Sequence, residues 1–184
     1  MTATQLYRTP DGFDDLLLST DGEVLTGVLF VGSSDAKKLP HRAPIPHPIP
    51  ILAQAERWLD CYFSGGIPGP LPPYRIAGLT AFRQAVTDRM LRIPYGQTVS
   101  YGEIAAELAA ARGIARMSAQ AVGGAVGANP LCILIPCHRV IGADGSPVGY
   151  GGGMRNKLAL LRLEGSLPRG VYPRIPANGS HTEL

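Results

Sequence analysis

The chain predicts an α+β fold in two domains, a small N-terminal α/β domain and a mainly α C-terminal domain carrying a helix-turn-helix. Three observations predict it. Two apolar, partly β-branched runs early in the chain are parted by Asp21-Gly22; a Gly/Pro cluster, GGIPGPLPPYRIAG, separates two periodic regions; and three helical patterns with readable caps follow that cluster. The boundaries this implies are 1–77 for the first domain with its linker, 78–170 for the second, and 171–184 for a C-terminal tail.

In the first domain, DDLLLST and EVLTGVLFVG are the apolar runs, and Asp21-Gly22 suits the positive φ angles of a tight hairpin turn. SSDAKKLPHRAPIPHPIP comes next; its prolines cannot sit in a helix interior or a central strand, so it reads as a surface connection. ILAQAERWLDCYFSGG then sets Ile51, Leu52, Ala55, Trp58, Leu59 and Tyr62 or Phe63 at helical spacing, with Gly65 and Gly66 as the stop. Cys61 on this helix reads as a small core hydrophobe.

Beyond the Gly/Pro cluster, TAFRQAVTDRMLRIPYG predicts a helix begun by Thr80 and ended before Pro94, with Phe82, Val86, Met90 and Ile93 on one face. SYGEIAAELAAARG carries Ser100 and Glu103 as an S-x-x-E capping box, and Gly113 closes the helix. In MSAQAVGGAVGAN, Ser118 caps a further helix that Asn129-Pro130 ends, so two short helices joined by a turn give the helix-turn-helix outline. The second is nearly free of side chains (Ala119, Ala121, Gly123, Gly124, Ala125, Gly127, Ala128), although each internal glycine costs about 1 kcal/mol relative to alanine. Such a helix either packs tightly on a neighbour or presents a smooth face to a narrow space such as a DNA minor groove. The residues alone leave both open.

Composition narrows the functional classes. An apolar content of 45% over 184 residues suffices for an ordinary core. No run approaches the ~20 apolar residues of a membrane helix, and MTATQLYRTPDGFDD has no basic segment leading into an apolar one, so cytoplasmic residence is the expectation. Three irregularly spaced cysteines argue against a disulfide framework. The net charge of +3 permits contact with nucleic acid without demanding it; from Arg75 to Arg116 six arginines face only Asp88, Glu103 and Glu107.

The stretch NPLCILIPCHRVIG, residues 129 to 142, carries the chemistry. LCILI reads as buried extended chain, broken by Pro136 just before Cys137. His138 and Arg139 follow, and an imidazole and a guanidinium beside a thiol lower its pKa from about 8.5 and favour the nucleophilic thiolate. Either a reactive or a packing cysteine fits this local pattern. Cys132, Cys137 and His138 lack a second ligand pair at zinc spacing, and GYGGGMRNK lacks the spacing of a phosphate loop, so no metal or nucleotide site is expected.

PCHRV at 136–140, with IPYGQTVSYGEIA upstream, AVGGAVGANP between and GYGGGMRNKLALLRLEG downstream, closely resembles the O6-alkylguanine-DNA alkyltransferases, or methylated-DNA–protein-cysteine methyltransferases, over residues 78 to 165. The first 77 residues match in outline as that family's variable N-terminal domain, which is ribonuclease-H-like. The resemblance implies irreversible transfer of an alkyl group from O6 of guanine in double-stranded DNA to Cys137, with no cofactor and one turnover per molecule. It implies a base flipped out of the duplex at a cost of a few kcal/mol, and a helix-turn-helix whose second helix enters the minor groove rather than the major groove. By the same resemblance His138 is the base acting through a water, and Glu164 orients the imidazole. Asn129 joins the recognition helix to the active-site strand, and the Tyr101 hydroxyl stabilises the departing guanine. Val140 and Cys137 offer backbone carbonyls to the guanine amino group, and Tyr150 and Gly151 form the pocket wall. The DNA face comprises Arg116, Ser118, Gln120, Ala121 and Gly124, with Arg139 also expected among the substrate or DNA contacts. A monomer is expected; assembly of several copies on DNA, the preferred alkyl size and action on O4-alkylthymine stay open.

Two departures from the family pattern matter. The family commonly carries an arginine just before AVGG, where this chain has Gln120; either the extrahelical base is held less firmly or Arg116, one helical turn earlier, compensates. Cys132 reads as a packing residue, with a second reactive thiol as the alternative. Of the rivals, a non-repairing damage sensor lacks the cysteine that this chain keeps, a cysteine hydrolase does not account for the helix-turn-helix, and a regulatory role lacks a second DNA-binding pattern.

Overall fold

Leu16–Thr20 (β2) and Leu25–Phe30 (β3) form an antiparallel hairpin with Leu16 opposite Phe30 and Leu18 opposite Val28. Gly22 in the turn has φ 109°, a conformation that a Cβ would strain. Thr20 Oγ1 closes the turn, donating to Val24 O at 2.6 Å and accepting from Gly22 N at 2.9 Å. A third strand unforeseen from the sequence, Ala3–Tyr7 (β1), pairs antiparallel along the other edge of β2. The computed structural model describes residues 3–33, 36 and 49–167; most of the proline-rich connection and the expected 171–184 tail lie outside them.

Pro50, expected in that connection, instead opens α1 (Pro50–Phe63) at a position where its missing N–H forfeits no helical bond. The helix buries Ile51, Leu52, Ala55, Leu59, Tyr62 and Phe63. Cys61, expected in the core, is exposed: at about 100° per residue it points away from the stripe that Leu59, Tyr62 and Phe63 define. Helix α2 (Ala81–Leu91) starts at Thr80, whose Oγ1 accepts from Arg83 N, and buries Val86, Thr87 and Met90. Two-residue strands β4 (Val99–Ser100) and β5 (Val140–Ile141) pair in parallel. The capping box forms in full at α3 (Tyr101–Ala111): Ser100 Oγ accepts from Glu103 N at 3.1 Å and Glu103 Oε2 from Ser100 N at 2.7 Å. Ser118 caps α4 (Ala119–Gly127), accepting from the Gln120 and Ala121 amides. Arg116 lies in the 112–118 connection and not on the helix one turn before Gln120. The last helix, α5, spans Met154–Leu163.

The outer edge of β3 positions the cysteine. Val28 N donates to Pro130 O, and Val28 O accepts from Cys132 N, both at 2.8 Å; Leu25 makes the equivalent pair of bonds with Pro73 and Arg75, both at 2.9 Å. The strand edge, which would otherwise expose unpaired groups, is covered by segments from later in the chain. One hydrophobic cluster is continuous from Leu16 and Phe30 through Leu59 and Val86 to Leu131 and Leu160. LCILI, expected as extended chain, is buried but bent: Ile133 has φ 72°, Leu134 N donates to Cys132 O at 2.9 Å and Ile135 N to Leu131 O at 3.0 Å. A β-branched residue in that region costs on the order of 1–3 kcal/mol. Full burial of Leu131, Ile133 and Ile135 offsets it. Among the described residues no helix is long and apolar enough to cross a membrane.

Candidate active site

Asn129, at the end of α4, organises the bend. Its Oδ1 accepts from Leu131 N at 3.0 Å, while Nδ2 faces Ile135 O at 3.0 Å, Cys137 Sγ at 3.1 Å and Leu131 O at 3.3 Å. An amide with two hydrogens thereby serves three acceptors, one of them the sulfur. Cys137 begins a single 3-10 turn, Cys137–Arg139. Its thiol is held below its usual range. A hydrogen bond from Cys132 is the main cause, aided by the Asn129 amide, the Lys157 charge and the nearby Tyr150 hydroxyl, and together these overcome the burial that pushes the other way. His138 and Arg139, which the sequence suggests as the source of the shift, are not among its causes: both side chains are turned toward Glu164 instead.

Glu164 caps the C-terminus of α5 and is the hub of a buried network. Oε1 lies 2.8 Å from His138 Nε2 and accepts from Tyr62 Oη at 2.6 Å and Arg139 Nη2 at 2.9 Å; Oε2 accepts from Arg139 Nε at 2.8 Å and Gly96 N at 3.3 Å. Burial alone would raise this carboxyl, but the His138 and Arg139 bonds and charges bring it down to about 2. The ionised carboxylate therefore holds the proton of a neutral imidazole on Nε2. His138 is fully buried, which lowers its pKa against the pull of Glu164. Its Nδ1, the nitrogen left with a lone pair, is buried and makes no hydrogen bond to the described residues. Arg139, expected at the substrate or DNA, is 9% exposed, with Nη1 donating to Ile93 O at 2.7 Å and the guanidinium over the Tyr95 ring. A buried guanidinium needs a carboxylate and carbonyls more than it can use a surface phosphate.

Two participants were missed from the sequence. Tyr62 arrives from α1, far from the matched blocks, and no local signal marks it. Lys157 could have been found, because it lines up with Leu160 and Leu161 at i+3 and i+4 on the buried face of α5. Its Nζ donates to Val140 O at 2.6 Å, Val148 O at 2.8 Å and Gly149 O at 3.2 Å. Burial lowers its pKa to about 8, while the Cys137 thiolate pulls the other way. Val140 O, expected to meet the substrate, thus already holds one donor. The Tyr101 hydroxyl donates to Val148 O at 3.1 Å or Gly149 O at 3.2 Å, and burial together with the Cys137 charge raises its pKa.

Cys137, Cys132, Asn129, Tyr101, Tyr150 and Gly151 line one cavity of about 710 Å³. Its rim takes Gln120, Gly124 and Gly127 from α4, so Cys137, although only 4% exposed, has a route to the surface. Leu29 and Ser33 of the N-terminal half also line it. Tyr150 Oη is buried near both cavity sulfurs without the geometry of a formed hydrogen bond. Ser118, Gln120, Ala121 and Gly124 are exposed, as is Arg116. A Cβ built on Gly124 or Gly127 would meet no protein atom within 4 Å, so internal packing does not explain these glycines. His138 and Glu164 stand behind the cavity rather than in its wall. Among the described residues no cluster of His, Cys, Asp and Glu could hold a metal ion.

Residues 81–166 match the family model described as 6-O-methylguanine DNA methyltransferase, DNA binding domain. The methylated-DNA–protein-cysteine methyltransferase of Mycobacterium leprae is 42% identical over 149 residues, 81% of this chain and 85% of that protein. That of Mycobacterium tuberculosis H37Rv is 41% identical over 161 residues, 87% and 92% of the two chains. Among solved structures, a variant of the M. tuberculosis O6-methylguanine methyltransferase superposes with TM-score 0.74 at 38% identity, covering 97% of each chain. M. tuberculosis OGT in complex with DNA gives 0.70 at 38% identity over 90% of this chain and 92% of that one. With identity above 40% along more than four-fifths of its length, the chain belongs to the methylated-DNA–protein-cysteine methyltransferase family.

Proposed function

We propose that this protein repairs alkylated DNA by moving the alkyl group from O6 of a flipped-out guanine in double-stranded DNA onto Cys137, once per molecule. The observation that carries the reading is a thiol held toward its thiolate form in the wall of a cavity whose rim is the side-chain-free face of α4. The Cys137 sulfur attacks the alkyl carbon, the carbon–O6 bond breaks and guanine leaves as its anion. The thiol proton passes through one water to His138 Nδ1, the base whose Nε2–H is fixed by Glu164. Tyr101 turns its hydroxyl from the Val148 and Gly149 carbonyls to the guanine as charge builds there. Lys157, held by three carbonyls that line the guanine side of the site, keeps a positive charge near the sulfur. A thioether has no good leaving group, so the product is final and the protein is consumed.

Helices α3 and α4 act as the helix-turn-helix, with α4 in the minor groove: Gln120, Ala121 and Gly124 meet the DNA, and Ser118 and Arg116 flank them. Residues 78–170 form the DNA-binding and transfer domain, and 1–77 a ribonuclease-H-like domain that supports it through Tyr62 behind the cavity and through Leu29 and Ser33 in its wall. The protein acts as a monomer on the lesion in the cytoplasm, and O4-alkylthymine is a second substrate to assay. The test is to incubate the protein with duplex oligonucleotides holding O6-methylguanine and weigh the products. One methyl group on the Cys137 peptide, saturating at one per protein, is expected; catalytic turnover, or DNA left unrepaired by folded protein, overturns the reading.

A further inference from the structure

Alkyl transfer needs one thiol, yet two face the cavity. Cys132 and Cys137 both line it and both are 4% exposed. The bend brings them together: Ile133 at φ 72° turns the chain, and Asn129 Nδ2 touches both Leu131 O, next to Cys132, at 3.3 Å and Cys137 Sγ at 3.1 Å. Cys132 is also the first of the groups that lower the Cys137 thiol, which sets it beside that sulfur. Beside the two, the Tyr150 hydroxyl lines the same cavity, buried and with no formed hydrogen bond. That is a donor near both sulfurs with no formed bond of its own, and in the alkyl-transfer mechanism it and Cys132 serve only to lower the Cys137 thiol, forming no bond with the substrate.

We propose that Cys132 and Cys137 form a dithiol that reacts with small hydroperoxides and closes to a reversible disulfide. The Cys137 thiolate attacks one peroxide oxygen, the O–O bond breaks, and Cys137 becomes a sulfenic acid while water leaves, or an alcohol from an organic peroxide. The Cys132 sulfur then displaces the sulfenic oxygen, which departs as water, and the S–S bond forms. The two thiols give up two electrons and two protons, and hydrogen peroxide is reduced to two waters. Tyr150 donates its hydroxyl hydrogen to the peroxide or sulfenate oxygen in the pocket. The disulfide takes Cys137 out of service but spares it the sulfinic state, from which thiol reductants give no return. This chemistry is separate from alkyl transfer and needs only the two sulfurs and the cavity.

The experiment treats the reduced full-length protein with a few equivalents of hydrogen peroxide, blocks remaining thiols in denaturant and maps the digest by mass. Of the three cysteines, none of them in a disulfide, one, Cys61, is expected to remain titratable. Cys132 and Cys137 are expected in one internally bridged peptide lighter by two hydrogens, and dithiothreitol restores all three thiols. In Cys132→Ser, Cys137 is expected to run on to sulfinic acid and resist dithiothreitol. Sulfinic acid at Cys137 of the unaltered protein with no bridged peptide overturns the proposal, as does recovery by Cys132→Ser equal to that of the parent. Cys61→Ser, which alters only an exposed thiol, should leave the bridge intact; its loss there would trace the bridge to Cys61 and equally overturn the proposal.

Discussion

Tyr62 Oη donates to Glu164 Oε1 at 2.6 Å across 102 residues of chain, on the same oxygen that lies 2.8 Å from His138 Nε2. The N-terminal half thereby sets how much carboxylate charge reaches the imidazole. Burial and the nearby Glu164 charge raise the Tyr62 pKa well above its usual value, so it remains a donor throughout. Tyr62→Phe keeps the ring and removes the donor. A hydrogen bond to a charged group contributes about 1.5–3 kcal/mol, and urea unfolding should show a loss of that order. The freed carboxylate binds the imidazolium more tightly, so the acid limb of the methyl-transfer rate should move to higher pH. A stability loss with an unmoved limb would make Tyr62 a strut and nothing more.

The glycines of α4 yield the opposite pairing of stability and function. No protein atom lies within 4 Å of a Cβ at Gly124, so Gly124→Ala should stabilise the helix by about 1 kcal/mol. Affinity for duplex DNA, followed by fluorescence anisotropy, should nevertheless fall, because the added methyl meets the groove wall. Equal or tighter binding would show that this face does not enter the minor groove.

Acid should unfold the protein through Glu164. Its folded value of about 2 lies below the ordinary 4.5, so its contribution to stability is present above about pH 4.5 and is lost as pH falls toward 2. His138, lowered from 6.5 by burial, acts in the same direction: the unfolded chain takes up that proton first, and stability begins to decline as pH drops through 6.5. Melting temperatures measured from neutral pH downward should fall accordingly. Glu164→Gln should lower the neutral-pH value and flatten the part of the decline below pH 4.5; a parallel curve would place the acid sensitivity elsewhere.

Gln120 sits exposed at the cavity rim without a charge. Gln120→Arg should tighten binding to DNA modestly, and if the new guanidinium meets a phosphate the slope of log affinity against log salt should steepen by about 0.9. An unchanged slope would mean that the side chain fills space in the duplex without touching its backbone.

The hairpin turn at Asp21-Gly22, the Ser100–Glu103 capping box, the Ser118 cap and the stop at Asn129-Pro130 were all legible in the sequence, as were Cys137 as the candidate nucleophile and the small-residue character of α4. Each is a local matter: a turn residue, a cap or a periodicity acts within four or five neighbours, and a chemical type is visible wherever it stands. Adjacency misled where it stood in for distance. His138 and Arg139 follow Cys137 directly, yet both turn to Glu164, and the shift of the thiol comes first from Cys132, five residues back. Which glycines faced empty space, which cysteines were buried, that Ile133 would take a left-handed turn, and that Tyr62 and Lys157 would enter the site depended on packing between segments as much as a hundred residues apart. Burial is what gives those contacts their strength, because a charge or a donor withdrawn from water must be satisfied by whatever the fold brings against it, and only the folded chain decides what that is.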